Sequence, residues 1–193
     1  MSDTDPIARF QKDYAKAQGS EVFDAGRCAL ATVSQDGVPS VRFVLLKAVD
    51  VRGFVFYTNF ESHKAADLRD NPNAALAFHW HTIGVQVRVR GTVTRVSDEE
   101  ADAYFASRDR GSQLGAWASR QSAPLSDRAE LERAAEEVAA RFENVSVTRP
   151  PFWGGYRVAP ESIEFWQTRD DRLHDRWLYQ RDGSGWRCTL LSP

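Results

Sequence analysis

Several basic residues stand where predicted strands and helices begin or end, and such positions suit the binding of anions. Lys64 lies in the first turn of a short predicted helix, and Arg42 and Lys47 flank an apolar, strand-like run. A helix N-terminus beside a lysine or arginine favours negative charge, because its free N–H groups and its dipole act together. The sequence therefore predicts two anion sites, with surface ion pairing as the alternative reading. The first comprises Arg42, Ser62 and Lys64, and the second comprises Lys47, Tyr104, Arg108 and Ser112.

A second concentration of polar side chains occurs in RLHDRWLYQR, residues 172–181. Arg172, His174, Asp175 and Arg176 fall within one short stretch and directly precede a bulky, strand-like run. Neither a helical nor a strand period explains this mixture of charge and bulk. These residues are therefore candidate site residues.

Other common chemistries lack their sequence patterns. No GxGxxG follows a predicted strand and no GxxxxGK[ST] occurs, so Rossmann and P-loop nucleotide sites are not supported. There is no HExxH or CxxC pair, and no Ser-His-Asp constellation stands out. His79 and His81 would share one face of a strand, but a metal site needs a further ligand nearby. No metal site is expected.

The composition indicates one globular domain over residues 1–193. The chain has 193 residues, 42% of them hydrophobic and 27% charged, which is enough to bury a core. A net charge of −2 argues against a nucleic-acid partner. No run of about 18 apolar residues and no signal-peptide pattern occurs, so no membrane contact is expected. Cys28 and Cys188 are interpreted as free thiols, and the expected location is the cytoplasm.

Periodicity predicts a mostly antiparallel sheet with helices at its side. In VQVRVRGTVTRV (85–96), valines alternate with polar residues, which is typical of a sheet with one face in water. Asp36-Gly37 predicts a hairpin. Near the C-terminus, four segments are each interpreted as a strand: YRVAP, SIEFWQT, RWLYQR and GWRCTLL. About seven or eight strands at this spacing would close into a barrel, so the predicted class is α+β with a β-barrel centre.

Capping and breaker residues place five helices along the chain. Ser62 is interpreted as the N-cap of the second helix, and a capping box of Ser97 and Glu100 opens the third. The last is charged and is interpreted as a solvated helix packed by one apolar stripe. The predicted helices cover about 6–18, 62–71, 97–107, 112–119 and 126–143.

Seven motifs, in order, resemble those of the pyridoxine (pyridoxamine) 5′-phosphate oxidase family. They are RFVLLK, FYTN, SHKAADL, SQLGAWASRQS, FWGGYRV, IEFWQ and RLHDR, and the resemblance extends over about residues 5–193. It implies a split β-barrel that binds FMN and acts as a homodimer, with both active sites at the subunit interface. A C-terminal dimerisation and active-site segment would lie at about 150–193.

The resemblance also implies an activity. The family oxidises pyridoxine 5′-phosphate or pyridoxamine 5′-phosphate to pyridoxal 5′-phosphate. Dioxygen would reoxidise the flavin and give hydrogen peroxide, and the amine substrate would also release ammonia. The two phosphates, of cofactor and substrate, would match the two predicted anion sites.

Carried over residue by residue, the resemblance assigns two sets of contacts. Those with FMN fall on Arg42, Phe43, Val44, Leu45, Leu46, Lys47, Tyr57, Thr58, His63, Lys64, Gln86, Gln121, Ser122, Trp166 and Arg176. Those with the phosphorylated pyridine ring fall on Lys47, Tyr104, Arg108, Ser112, Arg172 and His174. Arg172 and His174 are the expected catalytic pair over the substrate ring, so RLHDR would be the rim of an active site. Asp175 is expected to orient an arginine.

Three features depart from the family pattern. His63 stands where arginine is usual, which is expected to weaken FMN binding by about 1–3 kcal/mol unless another group compensates. Val85 precedes Gln86 where arginine is usual, and the N-terminal arm is short. In longer members of the family that arm helps to cover the active site.

Two other functions compete with the oxidase. One is a split-barrel flavin oxidase that acts on another substrate, such as a phenazine precursor; the substrate-phosphate residues argue against an unphosphorylated substrate. The other is a non-catalytic module that binds flavin or pyridoxal phosphate. Such a module could lose RLHDR, which is intact here.

Overall fold

The computed structural model describes residues 5–193, and all positions below refer to that range. The helices are α1 (Pro6–Gln18), α2 (His63–Asp70), α3 (Asp98–Ser107), α4 (Arg110–Ala118) and α5 (Arg128–Arg141). The strands are β1 (Arg27–Val33), β2 (Pro39–Leu45), β3 (Ala48–Asp50), β4 (Gly53–Asn59), β5 (Asn73–Trp80), β6 (Val85–Arg95), β7 (Trp153–Gln167), β8 (Asp175–Asp182) and β9 (Gly185–Leu191). A 3₁₀ turn, Asp170–Arg172, lies between β7 and β8.

The nine strands form one antiparallel sheet whose main order is β2–β1–β5–β6–β7–β4–β3. β7 organises the sheet: one of its sides pairs with β6, and the other pairs first with β4 and then with β8. β9 pairs with β8. Because β4 and β8 pair with successive parts of the same side of β7, the sheet divides into two branches there and curls. This confirms the predicted α+β split barrel with flanking helices.

The structure corrects the predicted division into strands. YRVAP and SIEFWQT are not two strands but parts of β7, which has 15 residues. Pro160 suggested a break because proline cannot donate a hydrogen bond to a ladder. It is accommodated at a β-bulge, where the β6–β7 register shifts and Gly91 stands opposite Pro160. The strands number nine in the described chain rather than about seven or eight, and SVRFVLLKAV divides into β2 and β3.

Replacing Gly91 by alanine is expected to lower the free energy of unfolding by at least about 2 kcal/mol. A Cβ at Gly91 would lie 1.9 Å from the carbonyl oxygen of Ala159, so the β7 backbone would have to move. Urea unfolding measures the loss. Gly115→Ala on α4 is the control: nothing in residues 5–193 lies within 4 Å of its added Cβ, and alanine favours a helix by about 1 kcal/mol. Equal stability of Gly91→Ala and the wild type would contradict this close approach.

α1 packs on the sheet through Phe10, which is fully buried. The Phe10 ring contacts the rings of Phe54 and Phe78, at centroid distances of 4.8 Å and 5.0 Å. Asp5 caps the helix by accepting a hydrogen bond from the Ile7 N–H at 2.9 Å. The predicted first helix is thus confirmed, and its apolar face forms part of the main core.

The helices that border the sheet begin at side-chain caps, with one exception. Ser97 accepts from the Glu100 N–H at 3.2 Å and opens α3 as predicted. α4 begins two residues before the prediction, because Asp109 accepts from the Ser112 N–H at 2.8 Å. Ser62 occupies the predicted N-cap position of α2, but its side chain does not cap the helix, because its hydroxyl donates to the Asn59 carbonyl at 2.7 Å instead.

A second apolar cluster holds α3, α4 and α5 against the beginning of β7. Its buried members are Phe105, Phe142, Val147 and Trp153. Within residues 5–193, no helix is long and apolar enough to cross a membrane. The same range holds no group of three potential metal ligands, and the rings of His79 and His81 are 6.1 Å apart.

Candidate functional site

A cavity of about 720 Å³, which we call the central cavity, lies where the end of β2 and β4 meet the helices α2, α3 and α4. Many of the residues predicted to contact FMN or substrate line it: Phe43, Val44, Leu45, Lys47, Tyr57, Thr58, Lys64, Tyr104, Arg108, Ser112 and Gln121. Its charged lining consists of Lys47, Lys64, Arg108 and Asp109. Since the Asp109 carboxylate caps α4, the cavity presents mainly positive charge.

Lys64 is the centre of the first cluster of polar groups in the cavity. Its Nζ donates to Thr58 Oγ1 at 3.1 Å, to Ser62 Oγ at 3.1 Å and to Gln121 Oε1 at 2.8 Å. Burial, with a smaller contribution from nearby Arg42, lowers the pKa of Lys64 to about 8. The end of β4, the start of α2 and the segment after α4 thus converge on one ammonium group.

Three other predicted FMN contacts, Arg42, His63 and Ser122, lie beside the cavity rather than on its wall. Arg42 donates to Thr32 Oγ1 and to Ser40 Oγ, and it lies 3.6 Å from Asp67 of α2. The exposed His63 opens α2, and its backbone N–H lies 3.5 Å from Ser122 Oγ. Ser122 has a φ of 73°, in the left-handed region. Neither His63 nor Ser122 lines the cavity.

The four residues of the second predicted anion site all line the central cavity. Arg108 follows α3 directly, and Ser112 lies in the first turn of α4. Arg108 Nη1 is buried without a hydrogen-bond partner among the described residues. Its guanidinium carbon lies 4.8 Å from the centroid of the Trp153 ring. A buried donor without a partner is costly, so an anion in this part of the cavity would satisfy it.

Three aromatic rings stand nearly parallel at the cavity wall. The Tyr57 and Tyr104 centroids are 4.0 Å apart, and Trp153 lies 5.4 Å from Tyr57. Trp153 was not among the predicted site residues. The glycines that follow it in FWGG were the available signal, since a Cβ at Gly155 would lie 2.8 Å from the Tyr57 ring. Such glycines indicate that aromatic side chains approach the backbone closely.

Leu46 is the predicted contact that turns away from the cavity. It is 5% exposed and belongs to the main core, while its neighbours Leu45 and Lys47 line the cavity. Val85, which stands where the family usually has arginine, is also a core residue, at 5% exposure.

Three of the remaining predicted FMN contacts form a row across adjacent strands. Gln86 of β6 pairs with Trp166 of β7, which pairs with Arg176 of β8. Arg176 is fixed by Glu164, whose Oε1 accepts from its Nε at 2.9 Å, and by the Ser192 carbonyl at 3.0 Å. This row does not line the central cavity; Gln86 shares a separate cavity of about 370 Å³ with Phe43.

The RLHDR segment forms a turn next to that row. The His174 ring lies 4.4 Å from the Trp166 ring, and its Nδ1 accepts from the Arg169 N–H at 3.2 Å. Arg172 is exposed and has a φ of 61°, which a non-glycine residue rarely adopts. Asp175 accepts from Arg169 Nε at 2.7 Å, so it pairs with an arginine.

Most of the predicted site residues are thus brought together in two groups rather than one, while Arg42, Leu46, His63 and Ser122 belong to neither. The central cavity takes no lining residue from beyond Trp153. Gln86, Trp166, Arg172, His174 and Arg176 form the second group, which we call the C-terminal group. No residue of the C-terminal group lines the central cavity, and Phe43 is the central-cavity residue that shares the smaller cavity with Gln86.

Comparison with known proteins identifies the family. The family model described as "Pyridoxamine 5'-phosphate oxidase" matches residues 18–142, and "Pyridoxine 5'-phosphate oxidase C-terminal dimerisation region" matches residues 153–193. A pyridoxine/pyridoxamine 5′-phosphate oxidase of Anaeromyxobacter dehalogenans is 59% identical over 98% of this chain and 96% of that protein. One of Rubrobacter xylanophilus is 55% identical over 100% of this chain and 88% of that protein.

Solved structures agree with this assignment. PhzG from Burkholderia lata, in complex with tetrahydrophenazine-1-carboxylic acid, has a TM-score of 0.94 and 33% identity, covering 100% of this chain and 94% of that chain. A pyridoxamine 5′-phosphate oxidase-related, FMN binding protein from Nostoc punctiforme has a TM-score of 0.75 at 19% identity, covering 95% and 97%, and shares the fold. The chain therefore belongs to the pyridoxamine 5′-phosphate oxidase family of oxidoreductases.

Proposed function

We propose that the protein oxidises pyridoxine 5′-phosphate and pyridoxamine 5′-phosphate to pyridoxal 5′-phosphate, with FMN as cofactor and dioxygen as electron acceptor. The observation that carries this proposal is the central cavity, where two separate cationic groups face one space. One is centred on Lys64, and the other comprises Arg108 and Lys47. A phosphorylated cofactor and a phosphorylated substrate each need such a group.

The Lys64 cluster suits the phosphate of FMN. Lys64 is partly desolvated with Arg42 nearby, and a charge-assisted hydrogen bond is stronger in such a place than in water. The exposed ring of Phe43 and the ring of Tyr57, which is stacked on Tyr104, offer apolar surface to a flavin. When bound, FMN would accept a hydride from the 4′ carbon of the substrate and pass the electrons to dioxygen, which gives hydrogen peroxide.

The Arg108 group suits the phosphate of the substrate. Arg108 Nη1 is a buried donor free to bind an oxygen, and the Tyr104 and Ser112 hydroxyls and the Lys47 ammonium face the same space. Anchoring the phosphate would orient the pyridine ring, and orientation is the main contribution that we assign to this chain. Arg172 and His174 are proposed to lie over that ring.

We infer that a second copy of the chain completes each site. The edge strands β2 and β9 expose large apolar side chains, among them Phe43 at 73% and Leu190 at 66%. Exposed apolar residues on sheet edges are typical of surfaces that a partner covers. The family model that matches residues 153–193 is described as a dimerisation region. Each chain would thus be one domain, and the C-terminal group of one copy would face the central cavity of the other.

The protein is proposed to act in the cytoplasm, where thiols stay reduced. Cys28 and Cys188 are both free. Burial raises the pKa of Cys28 to about 12, so this thiol is unreactive.

Oxidation of a phenazine precursor remains the second candidate because PhzG has nearly the same backbone, at a TM-score of 0.94. The phosphate-binding character of the Arg108 group favours the phosphorylated substrate. The oxidases that are 59% and 55% identical favour it too, since PhzG is 33% identical.

The deciding experiment is anaerobic. The protein is loaded with FMN, pyridoxine 5′-phosphate is added, and the visible absorbance of the flavin is followed. Bleaching, then recovery and formation of pyridoxal 5′-phosphate when air is admitted, would support the proposed reaction. Absence of bleaching with FMN bound would reject this substrate, and an unphosphorylated ring that does bleach the flavin would favour the second candidate.

The affinity for FMN is expected to fall as the pH rises through about 8, the value to which burial and Arg42 lower the pKa of Lys64. The FMN phosphate binds the protonated amine, so the complex holds a proton that the free protein loses above that pH. Fluorescence titration should show a Kd that rises about tenfold between about pH 7 and pH 9. Lys64→Arg, which stays charged in this range, should give a nearly constant Kd. A constant Kd in the wild type would contradict the role of Lys64.

A further inference from the structure

An arginine outside the central cavity ties α3 to the start of β7. Arg149 lies in the loop before β7, and its side chain is 11% exposed. Its Nε donates to Asp102 Oδ1 at 2.5 Å and its Nη2 to Asp98 Oδ1 at 2.7 Å, so the guanidinium bridges two carboxylates one turn apart on α3. Its Nη1 donates to the backbone carbonyl of Trp153 at 2.8 Å. We call these three contacts the Arg149 clamp.

Both ends of the clamp belong to elements that supply lining residues to the Arg108 half of the cavity. Tyr104 of α3 stands nearly parallel to Trp153, with 6.2 Å between centroids and 9° between planes. Arg108, at the end of α3, lies over the same Trp153 ring. Because the clamp joins the first turns of α3 to the Trp153 backbone, it sets where Tyr104 and Arg108 stand relative to that ring.

The Lys64 cluster is held by different elements. Thr58 belongs to β4, Lys64 to α2, and Gln121 to the segment after α4. None of these residues contacts Arg149 through a hydrogen bond or ion pair in residues 5–193. A substitution at Arg149 should therefore affect binding in the Arg108 half of the cavity and leave binding in the Lys64 half nearly unchanged.

We propose that Arg149 is a positioning residue for the substrate phosphate: it holds Tyr104 and Arg108 in place without touching the ligand. This inference rests on the function proposed above. It predicts that loss of the clamp weakens binding of the phosphorylated pyridine and leaves binding of FMN nearly unchanged.

The clamp can be removed without undocking α3. Glu100 of α3 pairs independently with Arg157 of β7 at 3.0 Å, and Phe105 is buried in the second cluster. Asp98 and Asp102 are 84% and 61% exposed, so water would solvate them after the arginine is replaced. The protein is therefore expected to fold without the clamp.

The test compares the FMN-loaded wild type with Arg149→Met, which keeps the aliphatic stem and loses the donors. In Arg149→Met, the Kd for pyridoxal 5′-phosphate and the KM for pyridoxine 5′-phosphate should rise about tenfold or more, because small displacements of binding groups are costly. The Kd for FMN should stay within about twofold, since that half of the site keeps its contacts. Arg149→Lys keeps the charge and can retain one or two contacts, so its Kd for pyridoxal 5′-phosphate should lie between those of the wild type and Arg149→Met. Ile7→Val is the control for stability alone: it shortens a buried side chain of α1, in a different apolar cluster, and should lower Tm without changing either Kd.

An unchanged Kd for pyridoxal 5′-phosphate in Arg149→Met would overturn the proposal, and so would equal weakening of FMN and pyridoxal 5′-phosphate. If that variant fails to fold, the double variant Asp98→Asn/Asp102→Asn removes the charge of the clamp from the other side and is judged by the same two outcomes. A wild type that binds pyridoxal 5′-phosphate but does not oxidise pyridoxine 5′-phosphate would contradict the proposed function alone. The Kd comparison would then still decide the role of Arg149.

Discussion

Replacing Arg108 by methionine is expected to raise the KM for pyridoxine 5′-phosphate about 100-fold, because a charged donor to the phosphate is lost. FMN should remain bound, since the Lys64 cluster does not involve Arg108. The same change should leave the ligand-free protein as stable as the wild type or more stable. Arg108 Nη1 is buried without a partner in the described chain, and methionine removes that unsatisfied donor while it keeps the apolar stem over Trp153. Steady-state kinetics and urea unfolding of the same preparations measure the two effects.

Arg110→Met is the matched control for Arg108→Met. Arg110 stands two residues further along and donates to the carbonyls of Phe142 and Val145, at 2.6 Å and 3.0 Å, and it does not line the cavity. Its replacement should lower stability by about 1–2 kcal/mol, because it removes two hydrogen bonds between the loop after α5 and the start of α4, and should leave KM unchanged. The two arginines therefore have opposite expected effects. A KM for Arg108→Met equal to that of the wild type would show that the substrate phosphate binds elsewhere.

Local signals in the sequence predicted most of the elements. The alternation of valines and polar residues in β6, the Ser97 cap of α3 and the Gly37 turn, whose φ is 80°, all depend on residues a few positions apart. The continuity of β7 was not predicted in this way. Pro160 can lie within β7 because Gly91, far away in the sequence, lets the two backbones approach at the bulge. A prediction made from one residue and its neighbours in sequence cannot identify that contact between β6 and β7.

The sequence predicted which residues of the central cavity lie together better than it predicted how they are arranged. Lys47, Tyr104, Arg108 and Ser112 were grouped from their residue types and positions alone, and all four line the central cavity. The sequence holds no signal for some contacts within the cavity. One is the bond between Lys64 and Gln121, which are 57 positions apart and meet only after α4 packs beside α2. The sequence also did not show that the C-terminal group lies away from the cavity. That separation follows from the path of β7 and β8, because the long β7 carries the chain from Trp153 at the cavity to Trp166 beside RLHDR.

A mixed dimer of two variants, Lys64→Met and Arg172→Ala, is expected to be active although each variant alone is inactive. Lys64→Met damages the central cavity, and Arg172→Ala removes the exposed arginine of RLHDR; each homodimer should lose turnover, and Arg172→Ala should still fold and bind FMN. If a site takes its cavity from one copy and its RLHDR segment from the other, a mixed dimer has one site with both defects and one site with neither. Mixed dimers isolated with two different affinity tags should then show about half of the wild-type activity per dimer, as the two-fold symmetry requires.

The contrasting arrangement gives a different result in the same experiment. If each chain supplied its own cavity and its own RLHDR segment to one site, every site of the mixed dimer would carry one defect and activity would stay absent. A mixed dimer of Lys64→Met and Arg108→Met is the control, because both residues line the same cavity. Each of its sites keeps one defect in either arrangement, so it should stay impaired. Activity in the first mixture and not in the second would mean that each site combines the central cavity of one copy with the RLHDR segment of the other. Inactivity in both would place the complete site within a single chain, and the turn at Arg172 would then have to move toward its own cavity for catalysis.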